Sequence, residues 1–167
     1  SVLVVEDETT QRDAITQLLA ADDVQVTAVA TPSEALALLR DNTFDYVILS
    51  RTLQQVYEPD ELIRSMLRVG KKGIVSFPNF SHWSPRLQLL LSGFAPVTKQ
   101  LPYEWYNTPN IRVITIKDFR KFIQQVGFNI LKEVAIDTDT QDRYGKVIKI
   151  FPNLRATYGI FLIGNGT

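Results

Sequence analysis

The residues best placed to do chemistry are three consecutive acids, Glu6-Asp7-Glu8, directly after the apolar run Val2-Leu3-Val4-Val5. Carboxylates at the carboxyl end of a buried strand can hold a hard divalent cation, since magnesium takes oxygen ligands and keeps several waters. Glu6 and Asp7 are therefore the candidate metal ligands, as a weak magnesium site. The bland alternative is that these acids favour the start of a helix near Thr10, where negative charge suits the helix dipole. Ser50 and Ser76 end two later apolar runs and can line the same crevice. His82 stands alone in the chain, so neither a histidine triad nor a multi-histidine metal site can form within it. Beside Trp83 it reads as a packing or surface residue. With no cysteine there is no thiol nucleophile and no zinc-thiolate centre. No P-loop, nucleophile elbow or zinc motif occurs.

The elements that must position these residues follow from periodicity. Short β-branched runs at 2–5, 24–30, 45–49 and 74–77 read as strands buried on both faces. Between them lie helical patterns. One starts near Thr10, with Ala14, Ile15, Leu18 and Leu19 on one face. A second opens at Thr31-Pro32-Ser33-Glu34, a capping box with proline at the first helical position. A third begins at Glu58-Pro59 and carries Leu62, Ile63, Met66 and Leu67, with Gly70 available for a left-handed cap. Residues 82–92 form an apolar, partly helical stretch in which Leu87 to Leu91 read as a buried face. The segment 94–114 holds three prolines and several aromatics and reads as an ordered excursion. Tyr103, Trp105 and Tyr106 in it either pack over the sheet edge, form a partner surface, or stack on a planar substrate. A last helix starts at Thr115 and Asp118 and ends at Gly127. Runs at 128–136 and 158–163 supply the final strands, separated by a polar loop around 137–145.

Such alternation argues for an α/β fold: a doubly wound three-layer sandwich in one domain, with a mostly parallel six-stranded sheet. The expected strand order is 2-1-3-4-6-5, strand 6 running antiparallel.

Two stretches resemble known families. VLVVEDE, ATPSEALALL and FDYVIL, within residues 1–49, resemble the receiver domain of two-component response regulators, a flavodoxin-like fold. That resemblance implies magnesium at the paired acids Glu6 and Asp7, but Ser50 stands where the family has its phosphate-accepting aspartate. FDYVILSRTLQQV, EPDELIRSMLRVGKKGIVSFPNFSHW, LPYEWYNTPNIRVITIKDF and FPNL, within 44–163, are similar to the methionine-biosynthesis protein MetW family. This second likeness implies the later part of an S-adenosylmethionine-dependent methyltransferase fold. The glycine-rich turn used for that cofactor has no counterpart before Gly70, so S-adenosylmethionine is not expected to bind.

Composition shifts between the two stretches. Residues 1–50 carry nine acids and two bases, the remainder nine acids and sixteen bases, and all eight glycines lie at or after Gly70. The expected reading is an engineered chimeric scaffold, with a receiver-like fragment over 1–49 and a methyltransferase-like fragment over 50–167, and without catalytic activity or cofactor. The alternatives are a methyltransferase-like protein with a remnant cleft and a degenerate receiver module. The basic residues form no continuous stripe, and only Lys71-Lys72 and Arg120-Lys121 are adjacent pairs, so no nucleic-acid partner is expected. No apolar run approaches the ~20 residues that span a bilayer, and no signal peptide is visible. A cytoplasmic monomer is the expectation, with dimers possible if apolar surface stays uncovered.

Overall fold

The computed structural model describes residues 1–21, 24–139 and 145–165. Residues 140–144 of the expected polar loop lie outside the described residues. Seven strands form one sheet: β1 (Val2–Val5), β2 (Val26–Val29), β3 (Phe44–Ser50), β4 (Gly70–Pro78), β5 (Phe128–Asp137), β6 (Lys146–Val147) and β7 (Tyr158–Asn165). The helices are α1 (Thr9–Ala20), α2 (Pro32–Asp41), α3 (Pro59–Val69), α4 (Trp83–Ser92), α5 (Ile116–Gln125) and the single turn α6 (Pro152–Arg155).

The order across the sheet is β2-β1-β3-β4-β7-β5-β6. Pairings among β2, β1, β3 and β4 are parallel, while β7 runs antiparallel to both β4 and β5, and β6 to β5. The sheet is thus mixed and seven-stranded, which corrects the six-stranded, mostly parallel expectation, and its strand order differs from the expected one by the added edge strand β6. The added strand β6 is two residues long and exposed, too short for an alternating pattern to betray it.

Right-handed crossovers decide where the helices go. The chain moves from β1 to β2 in one direction and then returns past β1 to β3, so α1 and α2 must lie on opposite faces. Movement continues the same way to β4, which keeps α3 beside α2. On that face one apolar cluster joins Leu3 and Val5 of β1, Val47 and Leu49 of β3, Val75 and Phe77 of β4, and Phe161 and Ile163 of β7. Helices α2, α3 and α5 cover it. At its centre the rings of Phe77, Phe119 and Phe161 pack with centroids 4.6–5.7 Å apart. The core runs without interruption across residue 50.

The opposite face is thinly covered. Helix α1 packs on β1 and β2 and buries none of its residues; Leu18 is 70% exposed. The expected sandwich therefore has its third layer at one end of the sheet.

Local signals hold at most helix ends. Thr31 Oγ1 accepts from the Glu34 amide, and Glu34 Oε2 accepts from the Ala30 amide. Replacing Thr31 by alanine should cost about 1 kcal/mol, read as a lower urea midpoint with an unchanged slope. Thr115 caps α5 through the Asp118 amide at 3.1 Å. Gly127 sits at φ +86° after that helix, where a side chain would be strained. Gly70 departs from expectation: its φ is −95°, extended rather than left-handed. Its lack of a side chain instead serves packing, since a Cβ there would lie 2.9 Å from both the Met66 carbonyl oxygen and Val47 Cγ2.

Candidate functional site

The parallel strands β1, β3 and β4 end at one edge, and neighbours of β1 are reached in opposite chain directions. Open α/β sheets bind ligands at such a switch point. Glu6, Asp7, Ser50, Arg51, Thr52 and Ser76 meet there.

Glu6 is fully buried. Its Oε1 accepts from the Glu8 amide at 3.2 Å, and its Oε2 has no hydrogen-bond partner. Burial pushes its pKa up, opposed by the polar surroundings that Ser50 and the Glu8 backbone provide and reinforced by neighbouring Asp7. Asp7 behaves oppositely. Burial works against its charge, yet the Gln55 side chain, with neighbouring Glu6, holds its pKa below the usual range. Gln55 Nε2 donates to Asp7 Oδ2 at 2.9 Å. As pH falls, Glu6 therefore takes up its proton before Asp7 does.

The turn carrying them is held from several sides. Arg12 Nη1 donates to the Glu6 carbonyl at 2.9 Å, and Arg51 lies 3.6 Å from the Glu8 carboxylate. The Thr52 hydroxyl shares its one proton between the carbonyls of Val5 at 3.1 Å and Ser50 at 2.9 Å, tying β1 to β3 at the edge. Arg51 has φ +52° while its amide donates to the Ser76 carbonyl. For a residue with a Cβ that conformation stores strain, of a kind that clusters at binding sites. Ser76 Oγ reaches Ser50 Oγ only at 3.5 Å. Buried Gln54 also has an unpaired Oε1. Burial raises the Tyr158 phenol, which feels Arg51, Glu6 and Glu8.

Glu6 and Asp7, expected as magnesium ligands, are thus neighbours with different partners. Among the described residues no group of three or more histidine, cysteine or acidic side chains is arranged to hold a metal. His82 is buried; its Nδ1 accepts from the Ser84 amide at 3.4 Å, capping α4, and burial lowers its pKa. The aromatic excursion does not bury its rings: Trp105 and Tyr106 are about three-quarters exposed. With Phe80, Leu101 and Tyr103, Trp105 lines a cleft of about 250 Å³. The residues that pattern alone missed are Arg51, Thr52, Gln54 and Gln55. Their one signal was position, directly after the third strand.

No helix among the described residues is long and apolar enough to cross a membrane.

Comparison with known proteins bears on the site. A stretch of the bifunctional methionine biosynthesis protein MetXA/MetW of Rhodopirellula baltica is 42% identical over 104 residues, 62% of this chain and 17% of that protein. Among solved structures, a SAM-dependent methyltransferase from Archaeoglobus fulgidus superposes with a TM-score of 0.64 at 11% identity, covering 97% of this chain and 84% of its own. The glycopeptide N-methyltransferase MtfA, complexed with S-adenosyl-L-methionine, gives 0.59 at 12% identity, over 99% and 81%. These likenesses show the fold. They also overturn the expectation that S-adenosylmethionine does not bind, since structures sharing this fold are S-adenosylmethionine-dependent methyltransferases, MtfA having also been crystallised with sinefungin. A missing glycine-rich turn does not by itself exclude the ligand, whose sulfonium and ammonium groups leave it net positive and suited to an acidic crevice. The model of the family "Methionine biosynthesis protein MetW" matches residues 9–163, running through the junction expected at residue 50 and lending no support to a separate receiver fragment or to engineering. This chain belongs to the MetW family.

Proposed function

We infer that the chain is a methyltransferase-like protein that binds S-adenosylmethionine in the crevice after β1 and β3. The observation that carries this reading is the buried Glu6 carboxyl with an unpaired Oε2, set beside ionised Asp7. An unpaired buried carboxyl oxygen costs roughly 1–3 kcal/mol and is a place for a partner. The donor set fits a ligand with cationic centres: Glu6 and Asp7 supply anionic oxygens, and Arg51 supplies a cation for a carboxylate. When bound, the cofactor contributes an electrophilic methyl group. The protein's own residues hold and orient it, with Glu6 Oε2 open to a partner from the ligand.

The test is a melting series with S-adenosylmethionine, sinefungin and S-adenosylhomocysteine. A ligand at one hundred times its dissociation constant adds about 2.7 kcal/mol to stability. The two cationic ligands should raise the melting temperature more than S-adenosylhomocysteine, which lacks the extra positive centre. No shift with any of the three would end this reading.

A second reading rests on Glu6, Asp7 and Ser50 sharing one edge, as in a degenerate receiver module with weak magnesium at the two acids. Ser50 cannot serve as a carboxylate acceptor. Magnesium with beryllofluoride leaving the surroundings of Glu6 and Asp7 unchanged would remove it.

A further inference from the structure

The aromatic excursion walls a cleft beyond the end of β4, lined by Phe80, Leu101, Tyr103 and Trp105, with Asn110 and Arg112 among them. Its frame is tied down at several points. The Gln54 carbonyl accepts from the Ile111 amide at 3.0 Å and the Arg112 amide at 3.1 Å, and the Phe80 amide donates to the Ile114 carbonyl at 3.1 Å. Thr98 and Leu101 exchange backbone hydrogen bonds at 2.9 and 3.2 Å. Tyr106 packs edge-on against Trp105, ring centroids 5.7 Å apart and planes at 86°. Arg112 is fixed as well, Nε donating to the Val56 carbonyl at 3.2 Å and Nη2 to the Tyr57 carbonyl. A pre-formed, mostly apolar hollow with a few placed polar groups is the ordinary form of a small-molecule site.

We propose that this cleft binds a small planar aromatic carboxylate. Three observations select that ligand. The first is size: about 250 Å³ lies just under the ~300–1,000 Å³ of most ligand pockets and leaves room for one or two fused rings. The second is the walls. Trp105 and Tyr103 present exposed rings, and flat faces of this kind take another flat ring in offset or edge-on contact. The third is charge. Arg112 is the one charged residue lining the cleft, and among the described residues no carboxylate pairs with it. Asp118 borders the adjoining cavity together with Arg112, but its carboxylate accepts from the Thr115 hydroxyl at 2.6 Å. The two carbonyl bonds of Arg112 use Nε and one hydrogen of Nη2. Nη1 and the second Nη2 hydrogen are left as a fork, the geometry that grips a carboxylate with two parallel hydrogen bonds. Of the roles open to the aromatic segment, exposure removes packing over the sheet edge, and a fixed cation amid the rings favours a stacked ligand over a partner surface.

Proton–nitrogen NMR of the chain titrated with naphthoate should move the indole signal of Trp105. That of Trp83, the chain's other tryptophan, should stay in place. By calorimetry naphthamide, the same rings without the charge, should bind at least about tenfold more weakly, since it cannot take up the charge-assisted fork. Arg112→Gln should weaken naphthoate by about tenfold or more for the same reason. Trp105→Ala should do the same through the lost stacking face, and at so exposed a position it leaves folding intact. A Trp105 signal that stays still at millimolar naphthoate, equal binding of the acid and its amide, or full binding by Trp105→Ala overturns the proposal. These measurements are made without S-adenosylmethionine, so their outcome is separate from that of the melting series.

Discussion

Asn79→Ala is expected to cost about 3 kcal/mol of stability, since it removes the hub that ties the end of β4 to two other segments. The side chain is buried, and every polar atom in it is used. Nδ2 donates to the carbonyls of Asn153 at 2.9 Å and Ala156 at 2.8 Å; Oδ1 accepts from the amides of Ser81 at 3.2 Å and Ile116 at 3.4 Å. Alanine would leave the Ala156 carbonyl and the Ile116 amide without these partners in a dry environment, where unmet hydrogen bonds cost most. Asn79→Asp should be worse. A carboxylate has no donor for the two carbonyls and would face them with negative charge. Urea denaturation gives the stability of each variant, and exchange of the Ser81 and Ile116 amides should speed up before that of the β3 core. A loss below about 1 kcal/mol for the alanine variant would show that water replaces the side chain at little cost.

Asn79 also marks where sequence reading stops. The Ser76-Phe77-Pro78-Asn79-Phe80 run announces a strand ended by proline, and it ends there. Nothing in local pattern says that Asn79 will reach Ala156, 77 residues away. Elements carried by repetition were legible: β1 from its unbroken apolar run, α3 and α5 from their faces, α2 from its capping box. Position-specific roles were not. Gly70 looks like any glycine after a helix, and only the close approach of β3 shows that it serves packing. Helix α4 shows the limit of periodicity itself. Spacing suggests that Leu87 to Leu91 form a buried face, whereas the structure leaves Leu87, Leu89, Leu90 and Leu91 exposed and buries only Pro85 of that helix. At the site, a run of three acids does not say which one is buried; Glu6 is, in a turn that Arg12, Thr52 and Gln55 hold from other elements.

Glu6→Gln should make the protein more stable at neutral pH and, at the same time, a poorer binder of cations. The gain in stability comes from the proton. A carboxyl whose pKa is raised on folding favours the folded state most when protonated, so its contribution is full below the unfolded pKa. That contribution is lost as pH rises through the folded value. Glutamine mimics the protonated form at every pH. The variant should therefore be more stable than the wild type above that range and gain nothing below it, with a flatter dependence of melting temperature on pH. Asp7, whose pKa is lowered, contributes in the opposite sense. Its share is present above the unfolded carboxylate pKa and fades as pH falls through the lower folded one, so Asp7→Asn should lose stability where Glu6→Gln gains it. Binding follows from the same proton. A cation arriving at Oε2 displaces it, so wild-type affinity for S-adenosylmethionine should rise with pH across the range where Glu6 titrates. In Glu6→Gln that rise should vanish, together with most of the ligand-induced melting shift. A variant that gains stability and keeps the full shift would place the cation away from Glu6, since the same oxygen cannot both keep its proton and neutralise a ligand.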